Sequence, residues 1–324
     1  MEVMAEVLSD RFASNEPWWI VVNPAGGNGA VSKSWPQLRK LLDACGYRYE
    51  LAFTERREHA IELAIRGVED GYRQVMAVGG DGTNNEVVNG LMQQRVVPPE
   101  HVHYALLPVG TGNDWVKTLG IPRDFRKWAP QIGQGLVRRV DVGLVHYTSG
   151  GEPRVRYFVN VAGMAYDAFV ARYAESKRGM VSNKLLYLYL VMRCLFQYDL
   201  RKARVCMDGQ TVEDHFYTIN VGLGRYSGGG MQFVPHAEPD AGRFAVTLAG
   251  KMSKWAVIAA TPYFYNGKVG RHPKVTTLTA RELEVTAPAG QPPTLLEVDG
   301  EFLGETPVRF ELLPQRLAVI VPRR

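Results

Sequence analysis

The residues with the clearest chemical potential are glycines at the ends of short apolar stretches. Val75–Val78 runs directly into Gly79-Gly80-Asp81-Gly82-Thr83. Glycines at a strand end let backbone N–H groups approach a phosphate without interference from a β-carbon. An acidic side chain repels phosphate, so Asp81 is better explained by a cation shared with the phosphates or by polar anchoring of the loop.

Two other apolar stretches end in the same way. Tyr104–Leu107 leads into a Gly/Thr/Asn turn in which Asn113 or Asp114 can cap the next helix. Trp18–Val22 leads into a glycine-rich loop and then a predicted helix near Ser34–Cys45. Three such strand ends would lie side by side at one edge of a parallel sheet, where ligands bind.

The elements that must position these loops alternate between strand and helix over the first 125 or so residues. This alternation predicts an α/β domain with a parallel sheet and helices on both faces. The predicted strands are 18–22, 47–53, 74–78 and 103–107, and the predicted helices are 34–45, 57–70 and 83–92.

Beyond about residue 136 the pattern changes to short segments rich in β-branched and aromatic residues, which predict an antiparallel β-sandwich. Two helical insertions are expected near Asn183–Tyr198 and Lys254–Tyr265. We place the domain boundary in Gly120–Gln134, which gives predicted domains at 1–130 and 131–324. The predicted strands are Arg154–Ala162, Ala203–Met207, His215–Val221, Arg243–Leu248, Glu282–Thr286, Thr294–Val298 and Leu317–Val321.

Composition limits the class of protein. The 324 residues are 46% hydrophobic and 22% charged, as in soluble globular proteins. Cys45, Cys194 and Cys206 have no C-x-x-C spacing and predict reduced thiols in a cytoplasmic protein. The longest apolar run, Leu185–Met192, is too short to cross a membrane. A net charge of +5 suits an anionic partner, but the chain lacks a basic block or motif typical of nucleic-acid binding.

Motifs spread along the chain resemble those of the bacterial diacylglycerol kinase-like lipid kinases, which are related to sphingosine kinases and NAD kinases. They occur in the family's order and span nearly the whole sequence. The matching motifs are Val22-Asn23-Pro24-Ala25-Gly26-Gly27, Gly79-Gly80-Asp81-Gly82-Thr83, Pro108-Val109-Gly110-Thr111-Gly112-Asn113-Asp114, Tyr226-Ser227-Gly228-Gly229-Gly230-Met231 and Val298-Asp299-Gly300-Glu301.

This resemblance implies a nucleotide-binding α/β domain followed by a β-sandwich domain, with ATP and Mg²⁺ as cosubstrates. It also implies phosphorylation of a lipid such as diacylglycerol at a membrane surface, on the inner, cytoplasmic side, as a step of phospholipid metabolism. Glu301 matches the family's proton acceptor, Asp299 could orient it, and Asp81 could reach the Mg²⁺ bound to ATP. The nucleotide-contacting positions carried over by motif are Asn23, Thr54, Gly79, Gly80, Asp81, Gly82, Thr83, Thr111 and Asn113.

One segment departs from the family pattern. The family usually has two consecutive aspartates before a glycine where this chain has Asp240-Ala241-Gly242. In the family that stretch helps to bind a structural Mg²⁺. Only Asp240 is left to serve such a site here.

Several alternatives stay open. The chain could instead be a P-loop protein in which Lys33 binds the phosphates. Gly27-x-x-x-x-Ser32-Lys33-Ser34 differs from the Walker A pattern only by Ser32 in place of the second glycine. The acceptor could be a sphingoid or ceramide-type lipid, or the protein could be a non-catalytic lipid-binding relic. The basic, aromatic segment Ser182–Leu200 could meet a membrane or pack on the sandwich. An edge strand of the sandwich could pair across a homodimer.

Overall fold

The computed structural model describes residues 10–12, 15–110, 112–176 and 184–323, with residues 184–188 described by their backbone alone. Thr111 therefore lies outside the described residues. The chain forms two compact units. The first contains the described residues up to Val140 together with those from Gln315 onward, and the second is Asp141–Pro314. The domain limits expected from the sequence, 1–130 and 131–324, stay predictions.

The first unit contains a sheet of parallel strands, β2 (Trp18–Val22), β3 (Tyr49–Phe53), β4 (Gln74–Gly79) and β5 (His103–Pro108). The order across the sheet is β3-β2-β4-β5, and each neighbouring pair is parallel. Every residue of β2 and β4 is buried, as expected for central strands covered on both faces. The short strand β1 (Asp10–Arg11) pairs with Leu136 and Val137.

Helices connect these strands, so the predicted alternation is confirmed. They are α1 (Gly26–Ala44), α2 (His59–Glu69), α3 (Asp81–Gln93), α4 (Asp114–Leu119) and α5 (Phe125–Ile132). Helix α5 lies in the segment 120–134, where we place the domain boundary. Trp128 of this helix is fully buried, and its indole N–H donates to the carbonyl of Leu106, 3.0 Å away.

The second unit is rich in antiparallel strands. Its strands are β6 (Leu136–Ser149), β7 (Glu152–Phe158), β8 (Val161–Ala165), β9 (Arg201–Met207), β10 (Gln210–Gly222), β11 (Phe244–Gly250), β12 (Val275–Ala280), β13 (Glu282–Thr286), β14 (Leu295–Val298) and β15 (Glu301–Val321). The start of β6, up to Val140, and the end of β15, from Gln315, belong to the first unit. The helices of the second unit are α6 (Tyr166–Ser176), α7 (Lys184–Gln197) and α8 (Lys254–Tyr265). The two predicted helical insertions correspond to α7 and α8.

The strands close into a barrel in the order β10-β8-β14-β15-β13-β9 and back to β10, which corrects the prediction of two separate stacked sheets. The long strands β10 and β15 turn the corners. The first half of β10 pairs with β9, and its second half pairs with β8. The pairing of β10 with β11 has a register shift between Phe216 and Thr218. Phe158, Phe244 and Phe310 contact one another in the core of this unit, with ring centroids 6.0–6.2 Å apart.

Candidate active site

The carboxyl ends of β2 and β4 lie side by side in the first unit. The connection from β2 runs to β3 on one side, and the chain then returns past β2 to β4, so the topology reverses between these two strands. Ligands of open α/β sheets bind at such a switch point. Asn23 follows β2 directly, and its side-chain amide donates to the hydroxyl oxygen of Thr83, 2.9 Å away. The loops after the two strands are thereby joined.

Gly79 is required for this contact. A β-carbon at position 79 would lie 2.4 Å from the hydroxyl oxygen of Thr83, which is itself buried. The absence of a side chain at Gly79 therefore lets Thr83 fold back against the end of β4. In turn, Thr83 can accept the hydrogen bond from Asn23.

A third loop reaches the same edge of the sheet. Gly27, Asn28 and Gly29 have positive φ values of 60°, 58° and 80°, so the start of α1 is a left-handed loop and the regular helix begins after it. Gly27 lies against Gly110, whose φ is 143°. A β-carbon on Gly27 would lie 2.8 Å from the Cα of Gly110. The glycines thus allow the loops after β2 and β5 to touch through their backbones.

Asp81 anchors the loop that follows β5. Its Oδ1 atom accepts hydrogen bonds from the backbone N–H groups of Asp114 at 2.9 Å and Trp115 at 3.4 Å, and its Oδ2 atom lies 3.1 Å from the first of these. Asp81 thereby supplies an acceptor for backbone N–H groups at the start of α4, which lack a partner within the helix itself. Burial, followed by the negative charge of Asp114, raises the pKa of Asp81 against the effect of these donors.

Asn113 precedes α4 in the left-handed conformation, with φ 51°. Its side-chain amide donates to the carbonyl of Gly110, 3.1 Å away. Its Oδ1 atom is buried and has no hydrogen-bond partner among the described residues. Since buried polar atoms are almost always paired, this oxygen is a candidate acceptor for a donor group of a ligand.

Helix α3 carries an unusual number of buried polar residues, and sequence reasoning missed their role. The carboxylate of Glu86 accepts hydrogen bonds from the backbone N–H groups of Glu58 at 3.0 Å and Ala60 at 3.2 Å. These donors lie at the start of α2, so Glu86 caps that helix from a neighbouring one. Asn84 accepts from the hydroxyl of Tyr104 at 2.8 Å, which ties α3 to β5. The signal was present in the run Thr-Asn-Asn-Glu after the glycine motif.

The structure thus brings together most of the predicted phosphate-contacting positions. Asn23, Gly79–Thr83 and Asn113 meet at one edge of the sheet, and α3 begins there. Thr54 follows β3 at the same edge, and its N–H donates to the carbonyl of Val22 at 2.9 Å. A helix amino terminus flanked by glycine loops presents backbone N–H groups and a positive dipole end, which is suited to a phosphate.

The second unit carries the predicted carboxylates at the turn between β14 and β15. Glu301 is largely buried, and one of its carboxylate oxygens lies 3.6 Å from the guanidinium of Arg156, which is also largely buried. Asp299 and Gly300 form the turn, with positive φ values of 50° and 84°. The chain turns between Asp299 and Glu301, so these two residues do not follow one another along one extended strand.

Asp299 instead binds the turn to β8. Its backbone N–H donates to the carbonyl of Val161 at 2.9 Å, and its Oδ1 atom accepts from the N–H of Val161 at 3.1 Å. These bonds fix the turn that presents Glu301. Any role of Asp299 in proton transfer stays a prediction.

A buried acid that sequence reasoning missed lies beneath this turn. Glu297 accepts a hydrogen bond from the N–H of Gly300 at 2.7 Å, and a β-carbon at Gly163 would lie 2.4 Å from its Oε1 atom. Burial, followed by the charge of Asp167, raises the pKa of Glu297 well above its usual range. Burial also raises the pKa of Asp167 to about 6, although the hydroxyl of Thr218 donates to it. Neither acid stands in a motif that would have identified it.

The segment around Asp240 is held through Asp141. The Oδ2 atom of Asp141 accepts from the N–H of Gly242 at 2.7 Å, and its own N–H donates to the carbonyl of Pro239 at 2.6 Å. In the described part of the chain, the structure contains no group of three or more His, Cys, Asp or Glu side chains arranged to hold a metal ion. A structural cation at Asp240 stays a prediction.

Comparison with known proteins gives the same assignment for both parts of the chain. Residues 17–145 match the family model for the diacylglycerol kinase catalytic domain. Residues 160–321 match the model for the YegS C-terminal NAD kinase beta sandwich-like domain. The chain belongs to the bacterial diacylglycerol kinase-like lipid kinase family.

Relatives within this family cover nearly the whole chain. The diacylglycerol kinase of Staphylococcus carnosus is 27% identical over 304 residues, which are 94% of this chain and 94% of that protein. The diacylglycerol kinase of Staphylococcus saprophyticus is 27% identical over 303 residues, again 94% of each chain. A diacylglycerol kinase structure from Bacillus anthracis has a TM-score of 0.69 and 22% identity, covering 94% of this chain and 97% of its own. A second structure from that organism has a TM-score of 0.76, 21% identity and coverage of 99% and 98%.

Proposed function

We propose that this family member is an ATP-dependent lipid kinase that transfers the γ-phosphate of ATP to a hydroxyl group of diacylglycerol. The hydrogen bond from Asn23 to Thr83 carries this proposal, because it joins two glycine loops at the switch point of the sheet. The names of the relatives support diacylglycerol as the first acceptor to test.

Phosphoryl transfer depends mainly on positioning and charge stabilisation, which this edge of the first unit can supply. The backbone of Gly79–Thr83 and the start of α3 would hold the phosphates. The buried Oδ1 atom of Asn113 would accept a hydrogen bond from an amino or hydroxyl group of the nucleotide. Contacts from Thr54 and Thr111 to the nucleotide are proposed on motif position alone.

Mg²⁺ would enter with the nucleotide, since this ion is usually held by one or two carboxylates plus substrate phosphates. Asp81 fits that donor set. Its Oδ1 atom accepts from the N–H groups of Asp114 and Trp115, whereas its Oδ2 atom lies 3.1 Å from the first of these nitrogens. The cation would neutralise negative charge on the phosphates. Asp81 would both brace the loop and offer Oδ2 to the ion.

Glu301 is proposed as the group that takes the proton from the lipid hydroxyl. A lipid hydroxyl is a poor nucleophile at neutral pH, and a positioned carboxylate assists it as the phosphoryl group transfers. The turn that carries Glu301 is fixed by Asp299 and Glu297 through hydrogen bonds on both sides. Arg156 contacts the same carboxylate, with its guanidinium 3.6 Å from one oxygen of Glu301.

The test is a transfer assay with the purified protein, ATP labelled in the γ-phosphate, and mixed micelles that contain dioleoylglycerol. Labelled phosphatidic acid is the expected product. Parallel micelles with a sphingoid base, a ceramide, a monoacylglycerol or a polyprenol identify a different acceptor. Binding of ATP without transfer to any of these lipids would favour the alternative of a non-catalytic, lipid-binding relic.

A further inference from the structure

Helix α8 has an unusual surface for a helix on the outside of a β-barrel unit. Its sequence after Lys254 contains no charged residue up to Gly267, yet Ala260 is its only fully buried residue. A helix that is apolar all round is normally enclosed by protein or lipid. Within the described residues, α8 is enclosed on one side only.

The inner side of α8 is anchored in the second unit. Val257, Ile258 and Phe264 pack against the cluster formed by α6, α7 and neighbouring strands. The ring of Phe264 also contacts Phe233, with ring centroids 5.1 Å apart. Ser253 accepts a hydrogen bond from the N–H of Ala256 and caps the helix. The position of α8 is therefore well determined by packing.

The outer side of α8 is an apolar stripe at helical spacing. Trp255, Ala259, Pro262 and Tyr263 are all exposed, and they stand at positions i, i+4, i+7 and i+8, which share one face of a helix. Trp255 is 72% exposed, an unusual degree for the largest apolar side chain. Tyr265 is 56% exposed at the end of the helix.

Helix α7 extends this surface. In the part of α7 whose side chains are described, Leu190, Cys194 and Leu195 are buried, and Met192 packs against the cluster that α8 also contacts. Tyr189 and Phe196 are 60% and 50% exposed. The ring of Phe196 lies 5.9 Å from that of Trp255, and the ammonium group of Lys254 donates to the carbonyl of Phe196 at 2.6 Å. The exposed aromatic residues of both helices thus form one surface, which we call the aromatic face.

The segment that carries α8 is basic. From Ala241 to Ala280 the chain contains no aspartate or glutamate. Basic residues stand before α8, at its start and after its end, and Arg193 adds one from α7. The basic residues of the 241–280 segment are Arg243, Lys251, Lys254, Lys268, Arg271 and Lys274.

We propose that the aromatic face is a docking surface for an anionic lipid bilayer, with α8 lying in the membrane interface. Exposed Trp and Tyr suit the interface, where the apolar part of the ring is buried and its polar end stays wet. Basic residues beside an apolar helix face add attraction to anionic headgroups. This inference rests on the proposed lipid kinase function, which would explain why the protein binds a membrane. The experiment that tests it measures membrane binding and does not require kinase activity.

The experiment measures binding of the whole protein to vesicles of phosphatidylcholine with and without phosphatidylglycerol, in the absence of nucleotide. We expect binding to the anionic vesicles that weakens with salt, because exposed charges are screened over about 8 Å at physiological ionic strength. Trp255 emission is isolated by subtracting the Trp255→Phe variant, and brominated lipid should quench it. Binding that is equal on neutral and anionic vesicles would overturn the proposal.

Matched variants separate the aromatic face from the rest of the surface. Lys268→Gln with Lys274→Gln should weaken binding about twenty-five-fold, since each cation near an anionic surface contributes about fivefold. Lys40→Gln with Lys127→Gln removes two exposed cations of the first unit and should leave binding unchanged. Trp255→Ala should weaken binding about tenfold through lost apolar burial, whereas Val155→Ala, an exposed residue of β7, should not. The proposal would be overturned if the two lysine double variants weakened binding equally and Trp255→Ala weakened it no more than Val155→Ala.

A second copy of the chain is the competing occupant of the aromatic face. If Trp255 emission shifts with protein concentration in the absence of vesicles, the face is a dimer interface and the proposal fails. Transfer to a short-chain diacylglycerol is measured separately. Vesicle binding without transfer would support the docking surface and contradict the kinase function. Transfer without vesicle binding would support the kinase function and contradict the docking surface.

Discussion

Gly27 and Gly110 lie on loops that follow different strands, yet their backbones are in direct contact. A β-carbon on Gly27 would lie 2.8 Å from the Cα of Gly110 and 3.2 Å from the carbonyl oxygen of Val109. Both neighbours are backbone, so they cannot yield as a flexible side chain would. The spacing of the loops at the edge of the sheet therefore depends on the absence of a side chain at position 27.

Gly27→Ala should sharply reduce ATP binding, because the two loops must move apart to accept the methyl group. Gly29→Ala is the matched control. Gly29 also has a positive φ, 80°, but a β-carbon there would meet nothing within 4 Å. Both variants carry the strain of a left-handed alanine, so calorimetric titration with ATP isolates the effect of loop contact. Equal affinities for the two variants would contradict the role given to this contact.

Asp81→Asn should abolish most transfer while the protein stays folded, because one amide oxygen can still accept from the N–H groups of α4. If Oδ2 binds Mg²⁺, this variant should also lose the gain in ATP affinity that Mg²⁺ gives over EDTA. Asp81→Ala removes the cap as well and should cost about 0.5–2 kcal/mol of stability. A gain from Mg²⁺ that is undiminished in the Asn variant would leave Asp81 as a brace alone.

Glu301→Gln should lower kcat at least about a hundredfold, since general-base assistance is typically worth about 10²–10⁴ in rate. ATP affinity should be retained. The variant also takes a charged partner from the largely buried Arg156, so its melting temperature must be measured and the assay run well below it. Asp299→Asn should act mainly on stability, through the turn. A nearly active Gln variant beside an inactive Asp299→Asn would show that the base is the other carboxylate.

Asp167 should make stability depend on pH in the mildly acidic range. Its folded pKa is about 6 against an ordinary 3.8, so between these values the folded protein binds more protons than the unfolded chain. The free energy of unfolding therefore falls as pH rises through this interval. Asp167→Asn removes that term, so its stability relative to the wild type should increase from pH 4.5 to pH 7. Parallel urea titrations that show no such change would mean that the group titrates normally in the folded protein.

Much of the first unit was readable from the sequence because its signals are local. The run Trp18–Val22 was predicted to the residue, since five consecutive apolar positions are followed by an Asn-Pro turn. The helix that contains Trp128 was not predicted, because Pro122 and Pro130 dominate its local pattern. Its helix is stabilised by tertiary contacts that include the bond to Leu106.

The second unit was less readable because closure of a barrel depends on pairing between distant strands. The sequence indicated only the apolar half of β10, since the residues from Gln210 to Asp214 are exposed and all but Val212 are polar. The same limit applies to the candidate site. Glu301 was found through its motif, whereas Glu297 is recognisable only once Gly163 and Gly300 are known to surround it.

The end of β15 has a consequence for how the protein must be made. Ala318 and Val319 pair in parallel with His103 and Tyr104 of β5, and Leu317–Ile320 is buried in the first unit. The sheet of that unit is therefore completed by residues that are synthesised only after the whole second unit. A fragment that stops at Val140 would leave one side of β5 uncovered, so we expect the two units to be inseparable by simple truncation and the first to reach its final stability only once Leu317–Ile320 can join its sheet.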